Sequence, residues 1–236
     1  MVLEHTACSK LFIGIDIHKR SWKIHCATDL SGGKTFSMSP DPRQLLDYVS
    51  RHYDGYQVTT AYEAGCCGYH AHRSFESYGW KSLVVNPADI YRTGKARHTK
   101  TDRIDAQLIA RELKDGRLDS IHVPDLQREQ LRSLFRRRND LVKDYRRIKS
   151  LIKSQLLYFG VIVPEQYDNS HWSHSYRNWL DSLEFEYSPA RATLDSRMRM
   201  FRFIDQDVRD VSTQLRRFCK VYYKRDYNLL RSIPGI

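Results

Sequence analysis

The 236-residue sequence has no long hydrophobic run: its longest apolar stretch, YFGVIV at 158–163, is far short of the ~20 residues that cross a bilayer. The first ten residues, MVLEHTACSK, lack the apolar centre of a secretory signal. Cysteine is scarce, with five residues and no CxxC pair, which argues against a disulfide framework or a zinc ribbon and fits a reducing cytoplasm. The stretch CCGYHAH (66–72) crowds Cys66, Cys67, His70 and His72 together but has no distant second pair to complete a zinc site. No P-loop, GxGxxG, HExxH or nucleophile-elbow motif is present. Acidic residues are outnumbered, 28 against 39 lysines and arginines, while 41% of the chain is hydrophobic. That balance predicts a folded protein with a polyanionic partner.

What is there begins with strands. LFIGIDI (11–17) is an apolar β-rich run, SWKIHCATD alternates as a half-buried strand does, and Gly32-Gly33 offers a hairpin turn before KTFSMS. PDPRQLLDYVSRHY has helical spacing, YQVTTAYE returns to strand, and CGYHAHRSFESYG reads as a helix ending at Gly79. WKSLVVN is a strand stopped by Asn86-Pro87, and TDRIDAQLIARELKDG is a helix capped by Thr101 and closed by Gly116. The order βββαβαβα predicts a mixed sheet covered by helices over residues 1–123.

After Pro124 the pattern changes. Leu131, Leu134, Leu141, Tyr145, Ile148, Ile152 and Phe159 follow a 3-4 alternation, interrupted at Arg138 and Gln155; Leu194, Met198, Phe201, Val208, Leu215 and Tyr222 repeat it. Two long helices joined by an aromatic, mildly acidic stretch (161–187) suggest an antiparallel coiled-coil arm over 124–231. Residues 124–160 carry ten basic and four acidic side chains, and 188–231 carry eleven and five. In RSLFRRRNDLVKDYRRIKSLIKS the arginines have too few acidic neighbours at i+4 for mutual neutralisation, so a solvated basic face competes with a phosphate-binding one.

The acids of the first half form the chemical signal. Asp16 ends the first strand and Glu63 the fourth; Asp102 and Asp105 sit three apart on one helix, with Cβ atoms roughly 5–6 Å apart. Singly, Asp16 reads as a strand-end cap, Glu63 as an ion-pair partner and Asp102 as a first-turn residue favoured by the helix dipole. If the strands are neighbours and the helix crosses them, all four carboxylates converge, and hard divalent ions such as Mg²⁺ or Mn²⁺ would relieve their repulsion. Two such ions about 3.5–4 Å apart serve in-line phosphoryl displacement. Lys19, Lys100 and Arg103 would then stand at the rim and hold phosphates.

The spaced set GIDIHK, YEAG, VNP and KTDRIDA, with the helical region after it, resembles the DEDD transposases of insertion sequence 110 and the related Piv-type DNA invertases. The resemblance implies a RuvC-like, ribonuclease-H-type domain in which Asp16, Glu63, Asp102 and Asp105 are the catalytic, Mg²⁺-binding acids. It further implies a recombinase of the bacterial cytoplasm acting on element and target DNA, guided by a structured non-coding RNA, and a dimer or tetramer held through the coiled coil. The arm residues expected to meet nucleic acid are Arg136, Arg137, Arg138, Arg146, Arg147 and Lys149. The family pattern continues beyond SIPGI (232–236) into a serine-bearing domain. On that pattern residues 232–236 begin a truncated domain, and the chain alone is expected to bind nucleic acid and metal without completing strand exchange. A stand-alone junction-resolving nuclease and a non-catalytic nucleic-acid-binding fragment are the competing readings. An actin-like ATPase, suggested by FIGIDIHKRS, would need a second duplicated half that nothing after 124 supplies.

Overall fold

The computed structural model describes residues 9–90, 102–167 and 171–235, with residues 102–104 described as backbone only. The chain divides into two compact units, 1–123 and 124–236.

The first unit is a five-stranded mixed sheet. Its strands are β1 (Lys10–Ile17), β2 (Trp22–Thr28), β3 (Lys34–Met38), β4 (Gln57–Glu63) and β5 (Lys81–Val85), in the order β3-β2-β1-β4-β5. β1, β4 and β5 run parallel, and β2 and β3 pair antiparallel on the other side of β1. Period-two alternation assigns the faces. Leu11, Ile13, Ile15, Ile24, Val58, Tyr62 and Val84 point to one side, where they bury against Leu45 and Val49 of α1 (Pro42–His52) and Ala71 and Phe75 of α2 (His70–Ser77). Ala61, Leu83 and Val85 point to the other, against Ile109 and Leu113 of α3 (Asp102–Lys114). Each fully buried aliphatic side chain contributes about 1.5–3 kcal/mol, so both faces of the sheet are committed. The helix α1 starts where Asp41 accepts a hydrogen bond from the Arg43 amide at 2.8 Å, with Pro42 in the first turn.

The second unit is helical: α4 (Leu126–Tyr158), α5 (His174–Ser182), α6 (Ser188–Tyr222) and α7 (Lys224–Arg231). α4 and α6 run antiparallel, as shown by Arg138 bonding Ser212, Tyr145 stacking on Phe201 and Gln155 bonding Ala190. The two long helices were expected from their apolar spacing; α5 was not, since it lies in the 161–187 stretch read only as the connection between them. Ser173 caps α5 by accepting from the Tyr176 amide, and Trp172, Tyr176 and Leu180 bury in the same cluster as Leu141, Ile148, Met198 and Phe201. A third helix therefore walls part of the seam. Gln155, which breaks the heptad in sequence, is buried yet satisfied: its amide donates to Ala190 O at 2.9 Å and its carbonyl accepts from Arg197 at 3.0 Å. Phe159 and Tyr222, expected on the seam, are 47% and 55% exposed. Among the described residues, no helix is long and apolar enough to cross a membrane.

Candidate catalytic face of the first unit

The geometry starts from Gly14, in the middle of β1. A Cβ there would lie 2.2 Å from Ala106 O and 2.5 Å from Ala110 N, so the backbone of α3 rests directly on this strand. Any side chain would lift the helix off the sheet.

Two hydrogen bonds fix the direction of α3. Lys114 Nζ donates to Thr28 O at 2.8 Å, and Thr28 lies opposite Leu11 near the start of β1. Gln107 Nε2 donates to Thr35 Oγ1 at 3.0 Å; Thr35 pairs with His25, which pairs with Gly14. Seven helical residues and three strand residues each advance about 10 Å, so α3 descends antiparallel to β1. Its beginning, with Asp102 and Asp105, lies toward the end of β1 that carries Asp16.

Asp16 and Glu63 share that face. Gly14 pairs with Ala61, and two residues further along each strand alternation returns to the same side at Asp16 and Glu63. Glu63 also pairs with Val85, which packs in the α3 cluster. The parallel register runs to Ile15 opposite Tyr62, which sets Asp16 and Glu63 at corresponding ends of strands about 4.8 Å apart. Asp105 is 9% exposed, next to the Ala106 contact. Sheet register and one glycine thus bring Asp16, Glu63 and the start of α3 to one edge.

The details differ by residue. Asp16 Oδ2 is 3.0 Å from His18 Nε2, a neighbour the sequence reading passed over. Lys23 stands opposite Asp16 on β2 and donates to Ser37 Oγ at 2.5 Å. Lys19 is exposed in the turn after β1. Lys100 and the expected cap Thr101 lie outside the described residues, and Asp102 and Arg103 are described by backbone alone. Among the described residues, no group of three His, Cys, Asp or Glu side chains is close enough to hold an ion. The donor chemistry of Asp16, Glu63 and Asp105 is nonetheless all hard carboxylate oxygen, which suits Mg²⁺ or Mn²⁺ and not a soft metal. Glu112, farther along α3, is 3% exposed but engaged by Arg117 at 2.7 Å and by Arg111, which hold its carboxyl below the ordinary value. It belongs to the helix's anchoring.

Gly14 is the residue the sequence reading missed. Its signal was available: a glycine inside an otherwise bulky strand marks close backbone approach.

In the second unit the expected nucleic-acid residues separate. Arg136, Arg146 and Arg147 are exposed, with no hydrogen bond or ion pair to described residues. Arg137 pairs with Asp207 at 2.8 Å, and Arg138 is half-buried with its Nε donating to Ser212 Oγ at 3.0 Å. Lys149 is half-buried, 5.2 Å from the ring centres of both Tyr145 and Trp172. Burial and the neighbouring Lys153 and Arg177 lower its pKa.

The family model for DEDD transposases of insertion sequence 110, described as "Transposase", matches residues 13–159. The chain belongs to this family. It is 30% identical over 182 residues to a Sinorhizobium fredii protein named "Putative transposase y4qE", covering 75% of this chain and 45% of that protein. It is 36% identical over 166 residues to "Putative transposase y4rJ" of the same organism, covering 61% and 42%. The chain spans less than half the length of these curated relatives.

Proposed function

We propose that residues 1–123 are a RuvC-like domain whose Asp16, Glu63, Asp102 and Asp105 hold divalent ions for DNA strand cleavage and transfer, as part of a bacterial transposase. The observation that carries this reading is the shared edge: Asp16 and Glu63 end adjacent parallel strands on the face covered by α3, and the helix bearing the other two acids begins toward that edge. Mg²⁺, when bound, supplies charge neutralisation and activation of an attacking oxygen at a phosphodiester. The protein's own contribution is positional. Strand register fixes two carboxylates, the tight seat of α3 on Gly14 fixes the helix, and Lys19 with Lys100 and Arg103 provides cations along the phosphate path. Element and target DNA, a structured RNA from the element and further copies of the chain are the partners in this reading, with the second unit as the basic surface and assembly element. The setting is the bacterial cytoplasm.

The test is Mn²⁺ titration, followed by the metal's paramagnetic resonance signal, with and without duplex DNA. Saturable binding is expected in the wild type and lost in Asp16→Asn and Asp105→Asn, with circular dichroism unchanged. Equal binding by the wild type and both variants would sink the four-carboxylate assignment. Cleavage of a four-way junction in Mg²⁺ by the chain alone, abolished in Asp102→Asn, would move the reading to a stand-alone nuclease.

A further inference from the structure

The strongest unexplained feature of the second unit is the charge on the outer face of α4. At about 100° per residue, the buried residues Leu141, Ile148, Ile152, Gln155 and Leu156 occupy one arc of the helix. Arg132, Arg136, Lys143, Arg146, Arg147 and Lys153 fall within about 120° on the opposite side, and all six are exposed. From 132 to 153 no aspartate or glutamate falls inside that arc. Lys143 reaches exposed Asp140 at its edge, at 3.2 Å. The other five make no hydrogen bond or ion pair to described residues. Arg137, Arg138 and Lys149 lie off this stripe, beside the buried face, and are engaged there.

The basic residues of α6 are disposed differently. Arg191 pairs with Asp195, Arg202 with Asp181 and Arg209 with Asp205, while Arg197 donates to Leu151 O and Gln155. Three of its eight basic side chains are thus ion-paired and Arg197 is hydrogen-bonded within the unit, while Arg199, Arg217 and Lys220 stay exposed. On the α4 stripe only Lys143 has a partner among the described residues, and a line of such cations on one rigid helix is costly unless an anion meets it.

We infer that the outer face of α4 is a linear docking stripe for the phosphate backbone of a nucleic-acid duplex, with Arg132, Arg136, Lys143, Arg146, Arg147 and Lys153 as its contacts. The inference rests on the nucleic-acid reading above and assigns it to one face of one helix. The stripe is about 32 Å long, close to one turn of duplex at roughly 34–36 Å. Between residues 132 and 153 the same arc holds one amide, Asn139, and one aromatic, Phe135, against six cations, so most of its contacts hold a duplex by its backbone rather than read its sequence. DNA and the paired stem of an RNA offer the same chemistry to it.

The experiment compares two variants of the full chain that lose four positive charges each: R132Q/R136Q/R146Q/R147Q on the stripe and R199Q/R216Q/R217Q/K220Q on α6. Binding to a mixed-sequence DNA duplex and to an RNA hairpin is followed by fluorescence anisotropy across a salt series, with circular dichroism to verify helicity. The stripe variant is expected to bind at least about tenfold more weakly than the α6 variant near 0.1 M salt. On DNA its plot of log K against log salt should be shallower than wild type by about 3.6, at close to 0.9 for each of four phosphate contacts. The ligand whose affinity falls further is the one the stripe holds. Equal losses in the two variants overturn the stripe and leave the general nucleic-acid reading standing. Failure of the wild type to bind either ligand overturns both.

Discussion

The two units treat charge in opposite ways. The first ends two neighbouring strands with carboxylates, Asp16 and Glu63, on the face that α3 covers, and buries two more acids, Asp105 and Glu112, on that helix. The second spends arginines on partners, Arg137 on Asp207, Arg177 on Asp205 and Arg191 on Asp195, and turns a row of cations outward from α4, of which only Lys143 has a partner among the described residues. In the first, the position of a charge comes from tertiary contact; in the second it follows from the helical period. That difference decides how each responds to substitution.

The largest expected effect is in the helical unit's core. Phe201 is fully buried, stacked on Tyr145 and close to Trp172, and Phe201→Ala should cost about 4 kcal/mol. Thermal unfolding by circular dichroism should show the helical signal melting first, while the exposed stripe on α4 keeps its sequence. A loss below about 1 kcal/mol would mean that the seam and α5 do not form one packed cluster.

Gly14→Val should follow, at about 3 kcal/mol, because backbone atoms of α3 occupy the space its side chain needs. Its signature is the pairing of lower stability with lost Mn²⁺ binding, although the substitution removes no carboxylate. Stability lost with Mn²⁺ affinity intact would show that the seat of α3 does not position the acids.

Glu112 gives a pH test confined to the first unit. Its folded pKa is depressed, first by its hydrogen bond from Arg117, so its contribution is present above the ordinary value of 4.5 and is lost as pH falls below it. Glu112→Gln should flatten the acid limb of a stability-versus-pH curve recorded between about pH 3 and 6 by denaturant titration. An unchanged acid limb would place the acid sensitivity elsewhere. The smallest effect is expected from Arg137→Ala: its pair with Asp207 is partly exposed, and its loss should shift stability by no more than about 1 kcal/mol and leave the salt dependence of duplex binding unchanged.

Much of this was legible in the sequence. Alternating apolar residues in β1, β2 and β4 and the helical spacing of α1, α4 and α6 state the element order directly, because period two and period 3.6 reflect burial on one side. Asp16 and Glu63 were visible as acids closing apolar strands. The short helix α5 was hidden because its buried contacts, Trp172, Tyr176 and Leu180, are interleaved with polar residues and leave only about two turns of pattern. Gln155 misled in the other direction: it looks like a break in the seam and is a satisfied core residue. Likewise RRR at 136–138 and the neighbouring Lys149 read as one basic patch, whereas Arg136 faces solvent and the others turn toward α5 and α6.

By itself, then, the sequence determined the alternation of strands and helices, the switch to long basic helices after Pro124, and the four acids with their spacings, since each of these is a local property of residue order. Only the tertiary structure decided that β1 and β4 are parallel neighbours, that α3 runs antiparallel along β1 on the side of Gly14, and which arginines are already paired. Those outcomes depend on contacts between residues far apart in the chain, where backbone approach and charge pairing are settled by packing.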